Sequence, residues 1–208
     1  MILTGLAPDP RRPDYRVVEV DRGRFASLPV AELAGLGLQV GTEIAPLVYE
    51  RLQELADLEA AQAAALRALN RRAHAYLDLR RRLLQKQHPA PAVEAALERL
   101  RATGLIDDLR FAFDYAAAKA RRGRGPARLI RDLQAQGVER RVAEDAVRRS
   151  LAAEGVDPEE TVRALVEKRA KQLAGLPPMV RKRRLVAFLV RRGFAGAEVS
   201  HAVEALGS

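Results

Sequence analysis

The sequence predicts a mainly α-helical protein. It reads as a tandem array of three three-helix repeats, helix-turn-helix-like in kind, forming an elongated and curved molecule behind a small N-terminal unit that holds a β-hairpin. Three observations predict this. Ala, Leu and Arg dominate, residues that lose little side-chain freedom in a helix, whereas aromatic residues make up only 4%. From about Leu55 onward, amphipathic segments of mostly 10–18 residues alternate with Gly- and Pro-rich breaks. Finally, the segments between the breaks repeat.

The first unit is expected over residues 1–57. Tyr15–Val20 is β-branched and partly alternating, Asp21-Arg22-Gly23-Arg24 supplies a turn, and Phe25–Leu28 returns as a second strand. A lone hairpin is marginal in water, so this one is expected to pack on a short helix over Val30–Leu36, ended by Gly35 and Gly37. Gly41 then turns the chain into a helix beginning near Ile44, with Thr42 as its N-cap. Arg11-Arg12-Pro13 reads as an exposed leader.

The repeat emerges on shifting the chain against itself. At a shift of 56 residues, Arg128, Leu129, Leu133, Gly137, Ala146 and Val147 fall on Arg184, Leu185, Leu189, Gly193, Ala202 and Val203. At a shift of 50 in the other direction, Leu129, Leu133, Ala146 and Val147 fall on Leu79, Leu83, Ala96 and Leu97, and Gly137 meets Gln87. Two leucines at i and i+4 make one apolar stripe, and the glycine takes the left-handed position that stops the helix. The next residue, Val138 or Phe194, buries against the turn. A second helix follows, with an alanine that permits close approach. A further helix precedes each copy, at Ala60–Arg71, Leu109–Arg121 and Glu159–Leu173. The repeats are therefore expected at 58–105, 106–155 and 156–208, a period typical of helical arrays.

Composition removes several classes of function. The chain has no Cys, which excludes disulfides, cysteine-ligated zinc and thiol chemistry. No apolar run reaches the length of a membrane span, and the N-terminus lacks the charged-then-apolar order of a signal peptide. A cytoplasmic protein with no membrane association is expected. Charge is uneven: residues 1–57 carry 6 basic and 9 acidic side chains, the remainder 30 and 18. Such asymmetry points to an anionic partner for the larger part.

The stretch GLIDDLRFAFDYAAAKARRGRGP, Gly104–Pro126, poses the question of chemistry directly. Asp107 is placed as an N-cap, Asp108 complements the helix dipole, and Ile106 with Phe111 forms a hydrophobic staple. Catalysis or metal binding needs converging partners, and His74, His88 and His201 are not at ligand spacing. No catalytic residue, metal or other cofactor is expected. Arg121, Arg122 and Arg124 close the same helix, and Gly125-Pro126 opens the next. The run lacks the preceding strand and the Gly-Lys-Ser/Thr of a phosphate loop. It reads either as a capped turn or as an arginine-lined contact for an anion or a carboxylate. Arg80-Arg81-Arg82 with Lys86 and Arg181–Arg184 with Arg191 and Arg192 lie on equivalent helices of repeats one and three, and Arg128 and Arg131 on that helix of repeat two. Only part of each cluster can share one face.

Taken in order, these residues resemble the RecX family of recombination regulators. The motif is Gly104-Leu105-Ile106-Asp107-Asp108-x-Arg110-Phe111-Ala112, then Tyr115, then Arg122-Gly123-x-Gly125-Pro126 with Ile130, Leu133 and Gly137. Arg192-Gly193-Phe194 and Leu38-x-x-Gly41-x-x-Ile44 also fit, whereas Gln87 departs from the expected glycine. The resemblance implies a non-enzymatic modulator of the RecA recombinase. Such a protein lies in the groove of the RecA filament on single-stranded DNA and suppresses ATP hydrolysis, strand exchange and coprotease activity. It also implies weak binding to single- and double-stranded DNA, and a monomer is expected. The contact residues expected are Arg80, Arg82, Lys86, Arg121, Arg122, Arg124, Lys182, Arg183 and Arg191; the family motif covers Arg122 alone, and the others follow from charge and repeat position. The alternative is a DNA-binding protein acting alone, since three-helix units resemble helix-turn-helix modules. A nuclease would need clustered carboxylates that the sequence lacks.

Overall fold

The β-branched run around Val17 becomes the middle strand of a three-stranded antiparallel sheet: β1 (Leu3–Asp9), β2 (Arg12–Val20) and β3 (Gly23–Pro29), in that order. The structure, a computed structural model, describes residues 1–205; residues 206–208, at the end of the expected third repeat, lie outside the described residues. The chain divides into two compact units, residues 1–73 with 79–106, and residues 74–78 with 107 onward.

In the first unit the expected hairpin is β2–β3. Its turn residues Asp21 and Arg22 both take positive φ, 49° and 64°, the twist that suits a tight hairpin. Strand β1 is an addition that the sequence reading missed, because Gly5 and Pro8 interrupt its pattern. As an edge strand it tolerates a proline that an inner strand would not. Arg11-Arg12-Pro13 is consequently no leader. It turns β1 into β2, with the Arg12 guanidinium 3.8 Å from the Tyr15 ring centre and 3.2 Å from the Glu59 carboxylate.

Helix α1 is shorter than expected, Val30–Leu33. Thr42 caps no helix: its hydroxyl donates to the Gln39 carbonyl at 2.7 Å. The next helix, α2 (Pro46–Leu69), begins instead at the N-cap Ala45 with Pro46 in its first turn, where the missing N–H costs nothing. No glycine or proline interrupts α2 after Pro46, and the division expected after residue 57 falls inside it. Its Leu52 and Leu55 complete a core with Leu3, Val18, Leu28 and Ile44. Further along, Ala61, Ala64 and Ala65 are buried where α2 packs on α4 (Ala90–Ala102). One helix therefore joins the sheet to the first repeat.

Helix α3 (Tyr76–Gln85) precedes α4. The second unit holds α5 (Asp108–Ala120), α6 (Pro126–Ala135) and α7 (Arg140–Ala153), then α8 (Pro158–Gln172), α9 (Pro178–Arg192) and α10 (Ala197–Glu204). The leucine pairs of α3, α6 and α9 are at most 2% exposed. All three helices end on the same bond: the N–H of His88, Val138 and Phe194 donates to the carbonyl of Leu83, Leu133 and Leu189, at 3.2, 3.0 and 3.1 Å. This closing bond demands a left-handed residue just before the donor. Gly137 and Gly193 supply it at φ +90°, and so does Gln87 at φ +63°.

Candidate functional site

The Asp107 carboxylate accepts the Arg110 backbone N–H at 2.9 Å and is the N-cap of α5. Ile106 and Phe111 are both buried. Asp108 does more than complement the dipole: it accepts the Tyr76 N–H at 2.8 Å, capping the start of α3. His74 bonds Asp78 at 2.7 Å in the same region. These carboxylates are engaged in ending and joining helices.

The arginines come together through a seam inside the second unit. The first N–H groups of a helix and its last carbonyls have no partners within the helix. At this seam the two kinds of orphan meet. Gly125 N–H donates to the Arg192 carbonyl at 2.7 Å, and Ala127 N–H to the Gly193 carbonyl at 3.2 Å, so the end of α9 caps the start of α6. The approach leaves no room for side chains. A Cβ on Gly125 would lie 2.5 Å from Gly193 carbonyl atoms, and a Cβ on Gly193 would overlap the Arg128 backbone nitrogen and Cβ. Gly137 is seated likewise against Leu77 and Asp78 at the start of α3, where a Cβ would come within 2.6 Å of Leu77. Gln87 is exposed, so at that position the left-handed turn is occupied without glycine.

The seam creates an arginine basin. A depression of about 620 Å³ is lined by Arg122, Arg124, Arg128, Arg131, Arg191 and Arg192, with Val190 as its one apolar member. Asp132 supplies the nearest counter-charge, bonded to Arg124 and lying 2.9 Å from the Arg128 Nε. Tyr115 completes this group, its hydroxyl 3.4 Å from Asp132 and 3.3 Å from Arg124. Burial, and secondarily the Asp132 charge, push the Tyr115 hydroxyl above its usual pKa, so it stays protonated and able to donate. Arg192 is held by the carbonyls of Arg122 and Gly123, at 3.3 and 3.2 Å, and lies 4.8 Å from the Phe188 ring centre. Arg122 and Arg191 are exposed and have no carboxylate partner among the described residues. The basin thus gathers six guanidinium groups, of which Asp132 pairs with two. Each presents a planar fork suited to phosphate or carboxylate oxygens.

Of the residues expected from sequence, Arg122, Arg124 and Arg191 meet in this basin. Arg121 lies outside it, bonded to Glu154 at 2.8 Å through its Nε. Lys182 is 3.8 Å from Glu204, and Arg183 is exposed outside the basin. Arg80, on α3 in the first unit, is paired with Glu94, and Arg82 and Lys86 are exposed there. Arg128, Arg131 and Arg192 belong to the basin but were not among the expected contacts. Their signal was present in the Gly-Pro and Arg-Gly-Phe pairings of the motif, which mark the two sides of the seam.

Two family models match this unit. One, described as the second three-helix domain of RecX, covers residues 107–147; the other, described as the third, covers 157–203. A regulatory protein RecX from Halorhodospira halophila is 36% identical over 148 residues, which are 71% of this chain and 88% of that protein. The chain belongs to the RecX family. A second RecX, from Thermobifida fusca, is 38% identical over 138 residues, 65% of this chain and 72% of its own. A crystal structure of regulatory protein RecX superposes with a TM-score of 0.78 at 19% identity, covering 98% of both chains, and RecX from Lactobacillus salivarius gives 0.64 over 73% of this chain and 97% of its own. Those two likenesses establish the RecX fold. By name these RecX relatives are regulatory proteins, and among the described residues no helix is long and apolar enough to cross a membrane.

Proposed function

We propose that this RecX-family chain is a non-enzymatic negative regulator of the RecA recombinase. It binds RecA and the RecA filament on single-stranded DNA, lies in the filament groove, and inhibits ATP hydrolysis, strand exchange and coprotease activity. It thereby restrains homologous recombination and the SOS response. It works as a cytoplasmic monomer whose three repeats, at 58–105, 106–155 and 156–208, are the contact scaffold, and it holds DNA alone weakly.

The observation that carries this reading is the arginine basin, six guanidinium groups gathered from two repeats, two of them paired with Asp132. A filament groove offers phosphates and acidic side chains together. Arg/Lys contacts to both would seat the chain across adjacent protomers, where it blocks incoming duplex and hinders the subunit motions coupled to ATP hydrolysis. The nine expected contacts, Arg80, Arg82, Lys86, Arg121, Arg122, Arg124, Lys182, Arg183 and Arg191, remain proposed contacts, each within its own unit, and Arg128, Arg131 and Arg192 join those of the second unit. Because Arg121 and Arg124 are committed to Glu154 and Asp132, the cleaner perturbation is Arg122→Glu with Arg191→Glu.

The test is DNA-dependent ATP hydrolysis by RecA, titrated with this protein. Strong inhibition at ratios too low to coat the DNA, weakened in the folded double variant, is the expected result. Inhibition that begins only when the DNA is saturated would instead assign the chain as a stand-alone DNA binder.

A further inference from the structure

We infer that the face of α8 beside the basin is a docking groove for an acidic protein segment bearing an aromatic or branched aliphatic anchor residue. The groove encloses about 780 Å³, within the range of side-chain and ligand sites. Its floor is apolar, with Leu165 and Phe188 half-buried. Its wall is one face of α8 from Asp157 to Gln172, roughly 20 Å long at 1.5 Å per residue, the span of about six extended residues.

Charge selects the occupant. Arg121, Arg122, Lys168 and Arg169 stand over the floor. Lys168, like Arg122, has no carboxylate partner among the described residues. Carboxylates of a bound segment satisfy Arg122 and Lys168, Arg121 being paired with Glu154, while an anchor side chain covers Leu165. The guanidinium groups of Arg169 and Arg192 lie 5.6 and 4.8 Å from the Phe188 ring centre, and such planes stack readily on a further aromatic ring. A nucleic acid fits less well. Asp157 and Glu160 also line the groove; a peptide whose acids are spaced to face the cations avoids them, whereas a phosphodiester chain, charged at every step, cannot. The half-buried Phe188 ring, already attended by two guanidinium groups, is not the open platform on which bases stack.

The experiment uses the full chain, without RecA, and fluorescence anisotropy of a labelled, capped nonapeptide with one Phe among Asp and Glu residues. The expected result is saturable binding that weakens about tenfold or more when the Phe is replaced by Ala, the loss of one buried aromatic anchor, and vanishes when the acids become Lys. Lys168→Glu and Ala164→Glu, both at exposed positions, each weaken it at least about fivefold while the circular dichroism spectrum is unchanged. Absence of binding, or equal binding of the Phe and Ala peptides, overturns the proposal. So does stoichiometric displacement by an oligo-dT strand whose own binding falls in parallel in both variants, since that outcome makes the groove a nucleic-acid site.

Discussion

Replacing Gly193 by alanine adds one methyl group at the point where α9 meets α6. Two penalties follow. The residue sits at φ +90°, where a Cβ costs about 1–2 kcal/mol. The methyl would also overlap Arg128, so the two segments must separate, weakening the bonds from Gly125 and Ala127 at 2.7 and 3.2 Å. Each is worth about 0.5–1.5 kcal/mol net. Gly193→Ala is therefore expected to cost about 2–5 kcal/mol. Gly155→Ala is the matched control: φ is +61° and a Cβ there meets nothing within 4 Å, so only the conformational penalty of about 1–2 kcal/mol applies. Urea unfolding followed by far-ultraviolet circular dichroism compares the two, and amide exchange at Gly125 and Ala127 reads the seam itself. Equal losses of stability, with exchange at those amides unchanged by Gly193→Ala, would refute the claim that close approach at the seam requires this glycine.

Three further outcomes follow from the same structure. Asp107→Ala is expected to destabilise by about 1 kcal/mol, whereas Asp107→Asn, which keeps a capping oxygen, changes stability by a few tenths; denaturant titration distinguishes them. Asp9 is held below the ordinary carboxylate pKa, first by the Ser27 hydroxyl and then by the Arg11 N–H. A depressed folded-state pKa gives stability that is complete above the ordinary carboxylate pKa of about 4 and is lost as pH falls through the folded value, so Asp9→Asn should lower the melting temperature at pH 7 and do so progressively less as pH falls below about 4. Arg131→Ala should flatten the logarithmic salt dependence of oligo-dT binding by about one unit, with the circular dichroism spectrum preserved; an unchanged slope would remove Arg131 from the phosphate contacts.

Much of the helical architecture was legible because its signals are local. Leu129 and Leu133 repeat as Leu185 and Leu189, and Gly137 as Gly193, and each is found buried or left-handed as its pattern requires. The Asp107 cap was readable for the same reason. Strand β1 was not, because Gly5 and Pro8 erase the alternation and the strand exists only by pairing with β2. The Thr42 cap failed because Pro46 and Ala45 offered the helix a start three residues further on, leaving the hydroxyl to the Gln39 carbonyl.

The basin was illegible for a different reason. Charge runs mark where arginines occur along the chain, but Arg122 and Arg191 become neighbours only because backbone groups more than sixty residues apart cap each other at Gly125 and Gly193. That also explains the departure at Gln87. A helix-stopping turn needs one left-handed residue, which a long polar side chain can occupy with modest strain when it faces solvent. Glycine becomes obligatory only where the turn is itself a docking surface, against Leu77 for Gly137 and against Arg128 for Gly193. The loss of glycine from the first copy of the repeat and its retention in the next two therefore express one physical requirement, that each later repeat rest its middle helix end on the middle helix start of the repeat before it.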